Sequence, residues 1–102
     1  QQLLTNEDDN PYAWLALAID AERNQQFSHA KRYYEKLLEK APYLHKANLA
    51  LISLYLKEKN FKSAQRLVEQ AMDYAYEPER REFYNTKLAA LKQHRQSLDK
   101  SD

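Results

Sequence analysis

Residues 11–42 read PYAWLALAIDAERNQQFSHAKRYYEKLLEKAP and residues 45–76 read HKANLALISLYLKEKNFKSAQRLVEQAMDYAY. Laid over one another without a gap, they share nine identities in 32 pairs, where chance gives about two. The identical pairs are Ala13/Ala47, Leu15/Leu49, Ala16/Ala50, Leu17/Leu51, Phe27/Phe61, Ala30/Ala64, Arg32/Arg66, Glu35/Glu69 and Ala41/Ala75. Others exchange like for like, among them Arg23/Lys57, Gln26/Asn60, Tyr34/Val68, Leu38/Met72 and Glu39/Asp73. A fixed offset of 34 residues marks a tandem repeat, in which each copy is one supersecondary unit that cannot bury its apolar face alone.

Punctuation and period place helices inside each copy. Asn10-Pro11 offers a capping side chain followed by proline at the first helical position, where a missing N–H costs nothing. A helix over about 11–23 follows, then a turn at Asn24-Gln25-Gln26. A second helix enters at Phe27 with Ala30, Tyr34, Leu37 and Leu38 at three- and four-residue spacing, and Pro42 ends it after Lys40. Helices over about 45–58 and 62–76 repeat the plan around Lys59-Asn60-Phe61.

Composition agrees. Ala and Leu fill 28 of the 102 positions, while Val, Ile and Thr fill five, too few β-branched residues to surface a sheet. Gly is absent, so tight hairpins built on residues with positive φ have almost nothing to work with, and short helix-to-helix turns must carry the connections. The chain is 43% hydrophobic and 30% charged, with 16 basic against 15 acidic side chains. That balance argues for a folded chain and against a dedicated nucleic-acid binder. Zero Cys excludes disulfides, thiolate chemistry and Cys-ligated zinc, and leaves the compartment open. No apolar run approaches the roughly 20 residues of a membrane span, so no membrane insertion is expected.

At these residues the chain resembles the tetratricopeptide repeats, a family with a 34-residue period and spaced Trp, Leu, small, Tyr, Ala and Pro positions. Trp14, Leu17, Ala18, Ala21, Ala30, Tyr34 and Pro42 occupy those slots in the first copy. In the second, Leu51, Tyr55 and Ala64 match, while Asn48 stands for Trp, Ile52 for the small residue, Val68 for the aromatic and Tyr76 for Pro. The resemblance implies an all-α fold of about five helices, a right-handed superhelical stack of antiparallel helix hairpins. It divides a single domain of residues 1–102 into repeats at 11–44 and 45–78 and a capping helix at 79–98. Ile52 in a small-residue slot is expected to splay the local packing.

The same register reads the ends. Leu3 and Leu4 fall onto Leu37-Leu38, so residues 1–10 read as the tail of a preceding repeat and a linker, and the chain as a piece of a longer protein. Pro78 opens a last helix on which Tyr84, Leu88, Leu91 and Leu98 form one stripe with Arg95 in line. That stripe suits a terminal cap; the alternative is the first helix of a third repeat.

Stacking assigns Trp14, Leu17, Ala18, Phe27, Ala30, Tyr34, Leu37 and Leu38 to the packed face, with Leu51, Ile52, Tyr55, Phe61, Ala64, Val68, Ala71 and Met72. The resemblance implies a concave groove lined by the first helix of each repeat. It shows Tyr12, Leu15, Ala16, Ile19, Glu22 and Arg23, then Lys46, Leu49, Ala50, Ser53, Leu56 and Lys57. Leu15, Ile19, Leu49 and Leu56 form an apolar strip there, and contiguous apolar surface marks a partner site unless another part of the protein covers it. The expected partner is an apolar or amphipathic protein or peptide segment, with Tyr12, Arg23, Lys46 and Lys57 fixing its orientation. The alternative is an end segment of a scaffold whose groove is filled within the parent or by self-association. The Lys and Asn clamp of chaperone-binding relatives is missing, since Leu15, Ile19 and Ala50 stand in its place.

Chemistry is thin elsewhere. His29, His45 and His94 have no second ligand at helical spacing, and Glu7, Asp8 and Asp9 read as solvated charge ahead of a helix. Without Gly there is no phosphate-cradling loop, and Ser28, Ser53 and Ser63 have no base in register. Neither an enzyme nor a cofactor or metal site is expected. Tyr33, Tyr34, Tyr74 and Tyr76 could stack nucleobases, but a net charge of +1 is too small for phosphate-led affinity. RNA is a remote reading, and the basic residues of the last helix suit a solvated cap.

Overall fold

The structure, a computed structural model, describes residues 10–100, with side chains given through residue 98. The readings of Leu3, Leu4 and the acidic run at Glu7, Asp8 and Asp9 lie outside the described residues. Five helices follow one another: α1 (Pro11–Arg23), α2 (Phe27–Lys40), α3 (His45–Lys57), α4 (Phe61–Asp73) and α5 (Pro78–Lys100). Among the described residues there is no strand, so the fold is all-α. The chain divides into two compact units, with the boundary between Leu51 and Ile52 inside α3.

In the first unit, Asn10 caps α1 by accepting from the Tyr12 N–H at 3.0 Å, with Pro11 at the first helical position. Helix α1 packs on α2, and the two form a hairpin. Ala18, Ala30 and Leu37 are fully enclosed, and Tyr34 and Leu38 nearly so, which is the spacing expected of a helix with one buried stripe. Alanine at Ala18 and Ala30 removes side-chain bulk where the helices face each other. Asn48 is buried with 1% of its surface exposed. Its Nδ2 donates to the Pro42 carbonyl at 3.0 Å and the Leu44 carbonyl at 3.1 Å, tying α3 to the loop before it.

In the second unit, Asn60 caps α4 by accepting from the Ser63 N–H at 3.2 Å. Helices α4 and α5 pack antiparallel. Early in α5, the Arg81 Nη1 donates to the Met72 carbonyl in the last turn of α4 and to the Ala75 carbonyl just past it, at 3.1 and 3.3 Å. Late in α5, the Arg95 Nη1 donates to the Gln65 Oε1 at 2.7 Å, near the start of α4. Ala64 and Val68 are fully enclosed, and Ala71 and Tyr84 nearly so.

Each unit contains the same helix stop. The Gln26 N–H donates to the Ala21 carbonyl and the Gln25 N–H to the Glu22 carbonyl; 34 residues on, Asn60 donates to Tyr55 and Lys59 to Leu56. These pairs are the two bonds of a Schellman motif, which needs a left-handed residue after the helix. Gln25 has φ 61° and Lys59 φ 59°. Positive φ is therefore used without glycine, in the short helix-to-helix turns that carry the connections.

Boundaries and burial differ from expectation in places. Helix α4 spans Phe61–Asp73 rather than 62–76, and Tyr76 lies beyond it, 86% exposed. Phe27, expected in the packed face, is 38% exposed, and Trp14 and Leu17 are half-buried. Ile52, in a small-residue slot, is buried with 2% exposure. Along the α5 stripe, Tyr84 and Leu91 are buried while Leu98 stays 46% exposed, so the stripe fades toward the helix end.

Candidate functional site

Six of the nine expected groove residues belong to the first unit. On α1, Tyr12 and Ile19 are exposed, Leu15 is half-buried and Arg23 is exposed; on α3, Lys46 is exposed and Leu49 half-buried. Ile19 presents 40% of its surface to solvent, a large apolar side chain left outside the core. Glu22, assigned to the groove, turns instead to α2: its Oε1 accepts from the Tyr34 hydroxyl at 2.7 Å. Burial, then this hydrogen bond, then the nearby carboxylate charge push the Tyr34 hydroxyl above the ordinary tyrosine range. Its ring is 2% exposed, so Tyr34 is no stacking platform.

The remaining three, Ser53, Leu56 and Lys57, belong to the second unit, where Ser53 and Lys57 are exposed. Leu56 lines an open cleft of about 350 Å³. Ile52 and Leu56 of α3 and Phe61 of α4 face Lys87, Ala90, Leu91 and His94 of α5 across it. His94 packs edge-to-face on Phe61, with ring centroids 4.6 Å apart. Lys87 places its Nζ 5.4 Å from the centre of the Phe83 ring, one turn earlier on the same helix.

Sequence reasoning missed this cleft. It assigned Phe61 and Ile52 to packing, found no ligand partner for His94 and gave the basic residues of the last helix, Lys87 among them, to a solvated cap. The one available signal was spacing: Lys87, Ala90, Leu91 and His94 follow the three- and four-residue rhythm of a single helix face, beside the Tyr84–Leu91 stripe.

A second cleft, of about 240 Å³, lies in the first unit, lined by Trp14, His29, Arg32, Tyr33 and Lys36. Trp14 and Tyr33 rings meet there with centroids 5.8 Å apart. Among the described residues, no three His, Asp or Glu side chains gather as a metal-binding set, and no helix is long and apolar enough to cross a membrane. No family model matches the chain, and no curated protein or solved structure matches it either.

Proposed function

We propose that this chain is a noncatalytic interaction module of the tetratricopeptide-repeat type, whose stacked hairpins form a groove for an apolar or amphipathic segment of another protein. The observation that carries the reading is the set of apolar side chains outside the cores. Ile19 is exposed and Leu15, Leu49 and Leu56 are half-buried, at the positions the 34-residue register assigns to the groove. A face with no partner favours Lys, Glu, Gln and Arg there, whereas an apolar strip rimmed by Tyr12, Arg23, Lys46 and Lys57 suits a helix-in-groove or extended-peptide partner. The Schellman stops at Gln25 and Lys59 lend support, since a tandem repeat reuses one local geometry in each copy.

The test is quantitative affinity capture comparing the unaltered chain, the pair Leu15→Glu with Leu49→Glu, and Glu39→Lys on the exposed side of α2. The expected result is a set of partner proteins lost by the groove pair and kept by Glu39→Lys, with helical circular dichroism equal in all three. If the folded groove pair keeps every partner, the groove is not the binding face. Light scattering over a dilution series adds one discriminating outcome: a dimer that the groove pair dissolves assigns the strip to a second copy of the chain.

A further inference from the structure

The cleft of the second unit combines an apolar floor with a basic rim. Ile52, Leu56, Phe61, Ala90 and Leu91 supply the apolar lining, and its volume of about 350 Å³ lies at the small end of sites that hold small molecules, about 300–1,000 Å³. Lys87 and His94 stand at its two ends on α5. Seven residues at about 1.5 Å each separate them by roughly 10 Å along the axis, with Ala90 and Leu91 between. His94 and Phe61 close one end with aromatic rings.

The other end is electrostatically incomplete. Lys87 is half-buried, and among the described residues its recorded neighbour is the Phe83 ring, with no carboxylate beside it. A cation that lines an apolar cleft is complementary to a ligand with an anionic head and an apolar tail. The geometry points to a binding site for a medium-chain aliphatic carboxylate, its carboxylate at the Lys87 Nζ and its chain lying along α5 toward Phe61 and His94. An ammonium head group meets repulsion there, and a neutral one leaves Lys87 unmatched. The walls come from one face of α5 and three side chains opposite, which is room for a single chain. This site stands within the second unit; it shares Leu56 with the proposed groove and rests on none of the groove's other residues.

Titration of the isotope-labelled chain with sodium octanoate, followed by amide chemical shifts and calorimetry, tests the assignment. The expected result is saturable one-site binding with shifts concentrated at residues 52–61 and 83–94. Octan-1-ol and octylammonium should bind about threefold to fivefold more weakly, and Lys87→Met should lose octanoate affinity by the same factor. Ala90→Trp fills the cleft from an exposed position and should abolish binding, whereas the Leu15→Glu, Leu49→Glu pair should bind as the unaltered chain does. The site is overturned if shifts never saturate, if octan-1-ol matches octanoate, if Lys87→Met binds octanoate unchanged, or if a folded Ala90→Trp chain still takes it.

Discussion

The Tyr34 hydroxyl donates to the Glu22 carboxylate across 2.7 Å, joining α2 to α1 inside the first unit. A hydrogen bond to a charged acceptor contributes about 1.5–3 kcal/mol, so Tyr34→Phe should cost roughly that in urea unfolding at neutral pH. The bond also sets an alkaline limit. Burial, Glu22's hydrogen bond and Glu22's charge hold the Tyr34 pKa above its ordinary value, and burial does the same for Tyr84 despite the opposing charge of Arg80. The folded chain therefore keeps these protons where the unfolded chain releases them. Their contribution is whole below about pH 10 and shrinks as pH rises from there through the raised folded values. Every other side chain is common to both proteins, so the readout is the difference between wild type and Tyr34→Phe. That difference should narrow above about pH 10; parallel stability curves would refute the coupling.

Gln25 and Lys59 hold left-handed backbone at φ 61° and 59°, where a Cβ costs about 1–2 kcal/mol. Gln25→Gly and Lys59→Gly should each raise stability by about 0.5–1 kcal/mol after the extra entropy of an unfolded glycine is subtracted. Alanine at either position keeps the Cβ and should bring no gain. Thermal melts of the four single variants check this, and a glycine that lowers the melting temperature at either turn contradicts the strain argument.

What the sequence disclosed and what it hid divide along the range of the interactions. Asn10-Pro11 announced the start of α1, and Ala30, Tyr34, Leu37 and Leu38 announced the buried stripe of α2, because capping and helical period are local. Gln25 and Lys59 were silent, since neither residue type marks a left-handed turn. Phe27 and Phe61 are an identical pair in the repeat, yet Phe27 is 38% exposed while Phe61 has α5 beside it and meets His94. The cleft around Leu56 arises in the same way, from the placement of α5 against α4. Only long-range packing sets that placement, and no spacing within either helix records it.

Asn48 occupies a buried position as a polar residue, and its amide satisfies the Pro42 and Leu44 carbonyls at 3.0 and 3.1 Å. Its Oδ1 is buried and accepts no hydrogen bond from a described residue. Asn48→Ala should cost about 1–3 kcal/mol, chiefly by stranding the Pro42 carbonyl, since the Leu44 carbonyl keeps the Asn48 backbone N–H. Asn48→Asp should cost more at neutral pH, because it sets a buried carboxylate against those same carbonyl oxygens, and lowering the pH toward the carboxyl's protonation should return part of the loss. Urea midpoints at neutral and mildly acidic pH decide it; an aspartate variant as stable as the alanine variant would mean the site is wetter than its 1% exposure implies.

Arg81 closes the end of α4 from the first turns of α5, its Nη1 donating to both the Met72 and Ala75 carbonyls. Two contributions meet there: hydrogen bonds to a carbonyl of the last turn of α4 and to one just past it, and a cation near the negative end of the helix dipole. Substitution separates them. Arg81→Gln keeps a donor and removes the charge, so the gap between it and wild type should shrink as salt screens the dipole term. Arg81→Ala removes both: it should cost about 1 kcal/mol at low salt, and the part that survives at high salt is the hydrogen-bond contribution. Urea unfolding at low and high salt gives the comparison. An alanine variant with the wild-type midpoint would show that the Arg81 clasp adds nothing to the second unit, and that the other contacts between α4 and α5 suffice, among them Phe61 with His94 and Arg95 with Gln65.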